Sequence, residues 1–171
     1  MIKILSILLI VGLISCSINS EHKRPNKKLK SISLDLKFAD KSYMIDLPAD
    51  FKSENHIGED FEVFYFNADD SINKSYNSIG LYFGNHPSSL IEEYKDSVSF
   101  IDYGYDKKSY KITDKKIVWN NFKFKESFYS ETYIKNMNLI GDCFHFFIVS
   151  NDSSRMDDLK YFCETFRLIK K

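Results

Sequence analysis

The residues of this chain that could carry acid–base or metal chemistry are four histidines and several adjacent pairs of carboxylates. The histidines are His22, His56, His86 and His145. No two of them have the i, i+4 spacing that places two zinc ligands on one face of a helix, and no Cys-x-x-Cys motif is present. Neither a Gly-x-Ser-x-Gly motif nor a phosphate-binding glycine loop occurs. The sequence therefore predicts no catalytic residue, no metal site and no cofactor.

Two of the histidines lie next to predicted structural elements. His145 lies inside an apolar run, Phe144 to Phe147, which predicts a packed, hydrogen-bonded side chain rather than a base or a ligand. His86 follows Gly84-Asn85 at a predicted turn from a strand into a helix. Such a turn can direct backbone N–H groups at an anion, so His86 is a candidate binding residue, although a purely structural turn is the favoured interpretation.

Two polar stretches, 49–60 and 67–77, are predicted to be long surface loops, and each contains an adjacent pair of acids. Loops of this length between ordered strands often carry recognition. Variable surface decoration is the alternative. The candidate binding residues of the whole chain are Glu59, Asp60, Asp69, Asp70 and His86.

Alternation of apolar and polar residues predicts a domain built mainly from antiparallel strands. The predicted strands are 32–38, 42–47, 61–66, 79–83, 110–112, 117–119, 122–129, 133–140 and 143–149. A central helix is predicted from His86-Pro87 through about Phe100, and a C-terminal helix is predicted to start at Ser154, where Asp157 completes a capping box. The apolar stripe of the second helix comprises Met156, Leu159, Cys163 and Phe166. This order predicts an α+β fold, a sandwich of antiparallel sheet and two helices.

The first sixteen residues have the features of an export signal. Lys3 precedes an apolar run from Ile4 to Ile14, about 11 residues long, which suits a signal peptide and is well short of the roughly 20 needed to span a bilayer. The run ends in Leu13-Ile14-Ser15-Cys16, which resembles the bacterial lipobox. That resemblance implies lipid transfer to the Cys16 sulfur, cleavage before Cys16, and acylation of the new amino group with a fatty acid such as palmitate. An ordinary signal peptide with an incidental cysteine is the alternative.

The predicted organisation has three parts: a signal peptide over 1–15, a lipidated cysteine and flexible tether over 16–30, and a single α+β domain over 31–171. Two or three acyl chains would hold the mature chain stably on a membrane. We expect a cell-envelope location, with the periplasmic face of the outer membrane favoured over the inner membrane. Removing residues 1–15 takes away one lysine and no acid, which leaves a net charge of about −1 and no argument for nucleic-acid binding.

The expected envelope location is oxidising, and this affects whether the two cysteines that remain once Cys16 is lipidated form a disulfide. Cys143 opens an apolar strand, and Cys163 lies on the apolar face of the last helix. Two cysteines outside the cytoplasm favour a disulfide between them. A pair of buried thiols is the alternative.

Parts of the domain resemble the PsbP-like family, which is named after an extrinsic subunit of the oxygen-evolving photosystem. The resemblance lies in Tyr43 to Pro48 after the opening strand pair, in Leu81 to Pro87, and in the closing strand and helix. It implies a sandwich layout over residues 32–169 and a binding role. Some small bacterial lipoproteins of this layout are thought to act as immunity proteins against secreted toxins. No site residue carries over from the family.

The sequence thus predicts a membrane-anchored envelope lipoprotein that acts as a non-catalytic protein-binding module, with the membrane and an unidentified protein as its partners. Immunity to a secreted toxin is one version of this role. The alternatives are a structural component of the envelope and a periplasmic hydrolase whose site is assembled from residues distant in sequence. A cleft at His86 or His145 with a carboxylate within hydrogen-bond reach would favour the hydrolase.

Overall fold

The computed structural model describes residues 25–39, 41–70, 75–94, 100–101, 109–112, 115–135 and 143–169 of the chain. The predicted signal peptide and Cys16 lie outside these residues. The strands are β1 (Leu29–Leu34), β2 (Tyr43–Pro48), β3 (Lys52–Ile57), β4 (Phe61–Asp70), β5 (Ser75–Gly84), β6 (Phe100–Ile101), β7 (Ser109–Ile112), β8 (Lys115–Val118), β9 (Asn120–Phe124), β10 (Ser127–Lys135), β11 (Cys143–Ser150) and β12 (Arg167–Leu168). The α-helices are α1 (Leu90–Tyr94) and α2 (Met156–Glu164). No helix in these ranges is long and apolar enough to cross a membrane.

Seven strands form one antiparallel sheet with the order β3-β4-β5-β11-β10-β9-β6. The registers align apolar side chains across its centre: Phe66 lies opposite Ile79, and Ile79 lies opposite Ile148. All three are fully buried. Because successive side chains of a strand point to opposite faces, these residues define one face of the sheet, which we call the core face.

A second antiparallel sheet, β2 between β1 and β12, belongs to the same apolar core as α2 and the core face. The Arg167 guanidinium donates two hydrogen bonds to the Asp46 carboxylate, at 2.8 and 3.0 Å, and these bonds hold β12 beside β2. The same hydrogen bonds lower the pKa of Asp46. β1 begins at Leu29, so the second sheet starts inside the stretch predicted to be a flexible tether.

The predicted α+β sandwich is wrong, because the fold is β-rich and its helices are short. α1 has five residues and α2 has nine. Helical spacing after Pro87 predicts a helix through about Phe100, but Phe100 lies in β6. A few apolar residues at helical spacing fit a single turn as well as a long helix, and a single turn depends on outside contacts for its stability. The sandwich layout implied by the PsbP-like resemblance is wrong for the same reason.

The C-terminal helix forms with its apolar stripe facing the core. The four predicted stripe residues, Met156, Leu159, Cys163 and Phe166, are all buried. The helix ends at Glu164, so Phe166 lies beyond it. The predicted cap is wrong: Asp152 accepts a hydrogen bond from the Ser154 N–H at 2.9 Å and caps a short 3-10 turn that leads into α2.

Both predicted long loops contain strands. Residues 49–60 include β3, and residues 67–77 include the end of β4 and the start of β5. All six β3 residues are exposed, so neither face of β3 has to be apolar and the sequence shows no alternation there. The predicted strand 122–129 is two strands, because the chain turns at Lys125, whose φ of 51° lies in the left-handed region without a glycine or asparagine to signal it.

The second face of the seven-stranded sheet is rich in aromatic rings, and one of these rings lies close to the backbone of Gly80. Gly80 lies between Tyr65 and Phe147 in the register. A Cβ atom on Gly80 would lie 1.9 Å from Cζ of Phe147, so this ring occupies the space of a side chain at Gly80. The ring reaches Tyr65, with the two ring centroids 5.8 Å apart. The absence of a side chain on Gly80 leaves room for the Phe147 ring over its backbone.

Candidate functional site

Glu131, in β10, lies at the centre of a buried polar cluster on the second face of the sheet. Its carboxylate accepts hydrogen bonds from the Ser89 hydroxyl at 2.9 Å, the Leu90 N–H at 2.9 Å and the Tyr133 hydroxyl at 3.2 Å. A fourth contact of 3.1 Å joins it to Nε2 of His145. The pairing of β10 with β11 places Tyr133 opposite His145, and their rings stack with centroids 4.2 Å apart. Glu131 is only 1% exposed and His145 only 2%.

Hydrogen bonds keep Glu131 charged in spite of its burial. Burial is the largest influence and favours the neutral acid, but the hydrogen bonds from His145, Leu90 and Ser89 together outweigh it. The pKa of Glu131 therefore lies below its ordinary value. Burial, together with the nearby Glu131 charge, raises the pKa of Tyr133 to about 12. At neutral pH the cluster contains a carboxylate and a neutral phenol that donates to it.

The cluster connects α1 to the sheet and does not form a nucleophile–base pair. In a catalytic triad the histidine lies between the hydroxyl and the carboxylate, whereas here the Glu131 carboxylate lies between Ser89 and His145. Ser89 Oγ also accepts a hydrogen bond from the Glu92 N–H at 3.3 Å, so this hydroxyl acts as a helix cap. A general base works best with a pKa near the operating pH, whereas the pKa of Glu131 is lowered and so lies further from neutral pH.

An open cleft of about 840 Å³ lies beside this cluster, between α1 and the strands β9 and β10. Ile91, Asn120, Glu131 and Tyr133 are among the residues that line it. The carboxylates of Glu92, Glu93 and Glu131 and the Tyr133 phenol are among the lining groups, whereas the His145 imidazole is not. The pairing of a histidine with a carboxylate, which the hydrolase alternative requires, is present, but only its carboxylate lines the cleft.

The five candidate binding residues do not form one site. Glu59 and Asp60 are exposed in the turn between β3 and β4, and this turn meets the end of β5, because a Cβ atom on Gly84 would lie 3.0 Å from the Asp60 carbonyl oxygen. His86 is exposed just after that end of β5. Its N–H donates to the Tyr82 hydroxyl at 3.2 Å, as expected of a structural turn.

The second acidic pair lies at the opposite end of the sheet. Asp69 and Asp70 are the last two residues of the ten-residue strand β4. At about 3.3 Å per residue they lie roughly 30 Å from the turn that carries Glu59 and Asp60. A single contact with a small ligand therefore cannot use both acidic pairs.

No disulfide joins Cys143 to Cys163, so the predicted disulfide is wrong; both cysteines are buried thiols. Cys143 shares the second face of the sheet with His145, since alternate residues of β11 point the same way. Cys163, fully buried in α2, belongs to the core on the other face. The sheet therefore separates the two side chains. Burial raises the pKa of the Cys163 thiol well above its usual range.

Within the described ranges, no group of three or more histidine, cysteine, aspartate or glutamate side chains is arranged to hold a metal ion. His145 contacts the Glu131 carboxylate, and His56 contacts the Glu54 carboxylate at 3.0 Å on the exposed strand β3. Each is a pair rather than a ligand set. Trp119 is 1% exposed and packs in the core.

Sequence reasoning did not identify two candidate functional features, the Glu131 carboxylate with its donors and the strand β3. Glu131 shares a strand face with Tyr129 and Tyr133, and that alternation was visible, but the approach of Ser89 depends on a fold that the sequence does not reveal. β3 is polar except for Ile57, and the one sequence signal for this strand is the turn that follows at Gly58.

No protein-family profile and no curated protein matches this chain. Arguments about its function therefore rest on the geometry of these features and on the chemistry of their residues.

Proposed function

We propose that this chain is an exported, lipid-anchored envelope protein that binds a protein partner without catalysis. The proposed contact is the open edge of β3, to which an extended segment of the partner adds as a further strand. The observation that carries the proposal is that all six residues of β3 are exposed, although β3 pairs with β4 along its whole length. Among the strands in the described ranges, none pairs with the outer edge of β3.

The register identifies the backbone groups that are free to bind. The Gly58 N–H donates to the Phe61 carbonyl at 2.9 Å, which makes these two residues a hydrogen-bonded pair. Hydrogen-bonded and non-hydrogen-bonded pairs alternate along an antiparallel ladder, so Lys52, Glu54 and His56 direct their backbone groups toward β4. The residues whose N–H and C=O groups point away from β4 are Ser53, Asn55 and Ile57.

Backbone hydrogen bonds alone would give weak binding at this edge. Each is worth about 0.5–1.5 kcal/mol net, whereas association costs roughly 4 kcal/mol or more in lost freedom. Side chains must therefore supply the affinity and the choice of partner. Ile57, a large apolar side chain that is 52% exposed, is one group that a partner would cover.

The membrane anchor is the second part of the proposal and rests on the lipobox-like Leu13-Ile14-Ser15-Cys16. In the producing cell, Cys16→Ala is expected to abolish incorporation of labelled palmitate and to move the chain from the membrane fraction to the soluble fraction, because no thiol remains to accept lipid. Ser17→Ala is the matched control and should behave like the wild type. A wild-type chain that takes up no label, with a Cys16→Ala chain that still sediments with membranes, would show that the anchor is wrong.

Strand addition is tested with a photo-crosslinking residue at Lys52, on the exposed edge strand, in the full chain and in native membranes. We expect a covalent adduct with a protein. Asn55→Pro should reduce its yield about tenfold or more, because proline removes an outward N–H and leaves the pairing with β4 intact. Asn55→Ala is the matched control and should keep the adduct, since it retains the N–H. An adduct that is insensitive to proline, or no adduct, would contradict the proposal.

Of the alternatives, a hydrolase has one observation in its favour, the contact of His145 with Glu131 next to a cleft. The buried imidazole and the lowered pKa of Glu131 argue against it. Immunity to a secreted toxin is a narrower form of the binding proposal, and a toxin gene adjacent to this gene would support it. A structural role in the envelope would require self-association. At the β3 edge, self-association means that the added strand comes from another copy of this chain.

A further inference from the structure

We infer that the strand that adds to this edge is β3 of a second copy of the chain, antiparallel, with Asn55 opposite the partner's Asn55. This inference rests on the proposed function, because it names the partner of the same edge. The outcome is a symmetric dimer in which two seven-stranded sheets join into one continuous sheet. Four observations support it: the backbone register, the charge pattern, the setting of Asn55 and the exposure of Ile57.

The backbone register restricts the symmetric arrangements. Hydrogen-bonded pairs must join outward-directed residues of both copies, and these are Ser53, Asn55 and Ile57. With the twofold axis at Asn55, all three find partners: Ser53 lies opposite the partner's Ile57, and Asn55 opposite the partner's Asn55. An axis at Glu54 or at His56 would pair only two of them within the strand. The axis at Asn55 therefore gives the longest ladder.

The charge pattern selects the same axis. Glu54 and His56 lie on one face of β3, and their side chains are 3.0 Å apart within the chain. With the axis at Asn55, Glu54 faces the partner's His56 twice, in the non-hydrogen-bonded pairs where side chains approach most closely. An axis at Glu54 would instead place two glutamates opposite each other, which is destabilising. Of these two axes, only the axis at Asn55 places each glutamate opposite a histidine.

A buried carboxylate orients the Asn55 side chain, and the second copy would cover Ile57. The Asn55 amide donates to Oε1 of Glu62 at 3.3 Å, and Glu62 is a buried carboxylate that also accepts the Lys37 N–H at 2.7 Å. The amide oxygen of Asn55 is left to accept from the amide of the partner's Asn55. On the same face, the exposed Ile57 would lie against the partner's Ser53, which shields it from water.

Cysteine cross-linking of the full chain in native membranes tests the register directly. Asn55→Cys should form a disulfide-linked dimer, because facing Cα atoms in a hydrogen-bonded pair lie about 5.5 Å apart. Ser53→Cys and Ile57→Cys, each alone, should not, since each would lie about 13 Å from its own copy. The double variant Ser53→Cys with Ile57→Cys should cross-link again. The wild type, whose Cys143 and Cys163 are buried and whose Cys16 thiol carries lipid under the proposed function, is the matched control and should give no linked dimer.

Charge reversal tests the side-chain pairing in detergent-solubilised full chain by sedimentation. Glu54→Lys should weaken dimerisation roughly tenfold, because two opposite-charge pairs become like-charge pairs when His56 is protonated and lose their hydrogen bonds when it is not. Adding His56→Glu to that variant should restore dimerisation, since the two charges are then exchanged. A double variant as weak as the single variant would overturn the assigned register.

The photo-adduct at Lys52 separates failure of this inference from failure of the proposed function. An adduct of twice the chain mass that is lost with Asn55→Pro supports the dimer. An adduct of another mass, with a monomeric chain and no Asn55→Cys cross-link, overturns the dimer and leaves strand addition to a different protein standing. Cross-linking by Ser53→Cys or Ile57→Cys alone would also overturn the dimer register. No adduct of any mass would overturn both.

Discussion

Replacing Glu131 by alanine is expected to lower the free energy of unfolding by about 3–5 kcal/mol, because several buried donors lose a charged acceptor and each unsatisfied buried donor costs about 1–3 kcal/mol. The substitution leaves the Leu90 N–H, the Ser89 hydroxyl and the buried His145 ring without their acceptor. Each of these buried donors is then left without a hydrogen-bond acceptor. Urea unfolding of the variant and the wild type at pH 7 measures the effect.

Glu131→Gln and Glu126→Ala are informative companions to this variant. A glutamine side chain would keep an acceptor oxygen but turn an amide group toward donors, so Glu131→Gln should cost less than Glu131→Ala, on the order of 1–3 kcal/mol. Glu126 lies exposed in the turn of the same hairpin, and Glu126→Ala should stay within about 0.5 kcal/mol of the wild type. A loss below about 1 kcal/mol in Glu131→Ala would show that the cluster does not hold α1 on the sheet.

The same carboxylate gives the stability a defined pH dependence. The pKa of Glu131 is lowered in the folded chain, so its contribution is fully present above the pKa of the unfolded chain, about 4.3. Below that value, Glu131 binds a proton in the unfolded chain but not yet in the folded chain. The free energy of unfolding therefore falls as pH approaches the lowered pKa of Glu131. The difference between wild type and Glu131→Gln should therefore be constant near neutrality and shrink below about pH 4.3.

The central strands were predictable because they alternate over a buried face. Apolar side chains occupy every second position on the core face, Phe64 and Phe66 in β4 and Ile79 and Leu81 in β5, and all four are buried. Such spacing is a signal by which strands are recognised. The C-terminal stripe was predictable for the same reason, with helical instead of alternating spacing.

The missed elements have no such pattern. β3 is exposed on both faces, so its residues are free to be Lys, Ser, Glu, Asn and His, and composition then favours a loop. α1 depends on Glu131 accepting the Leu90 N–H from 41 positions away. Residues 95–99 of the predicted helix lie outside the described residues. The predicted fold class was wrong because the described residues form mainly antiparallel strands.

The candidate site was missed because it depends on register. His145 was correctly predicted to be packed and hydrogen-bonded, since an apolar strand surrounds it. Its partner could not be predicted, because Glu131 lies on a separate strand and any of 24 acids could have filled that role. The disulfide failed for a related reason. Strand alternation places Cys143 on the second face of the sheet, away from the core. Only the packing of α2 shows that Cys163 lies on the core side of the sheet.

Phe166 connects elements that are distant in sequence, so its removal is expected to have the other large effect. Its ring stacks on Tyr43 of β2, with centroids 5.0 Å apart, and meets Phe144 and Phe146 of β11 at 5.1 and 5.3 Å. It is 1% exposed, so both sheets and the end of α2 pack against this one side chain. A truncation here opens a cavity between both sheets, which neither can fill without moving.

Phe166→Ala should lower the free energy of unfolding by about 3–5 kcal/mol, and the midpoint of thermal unfolding by roughly 10 °C or more. Phe166→Leu should cost less than half as much, because leucine refills most of the cavity. Leu168→Ala is the matched control: Leu168 lies in the adjoining strand β12 but is 40% exposed, and its truncation should cost about 0.5 kcal/mol or less. Equal losses in Phe166→Ala and Leu168→Ala would show that the C-terminal segment contributes little to the core, because the difference in burial is what distinguishes the two side chains.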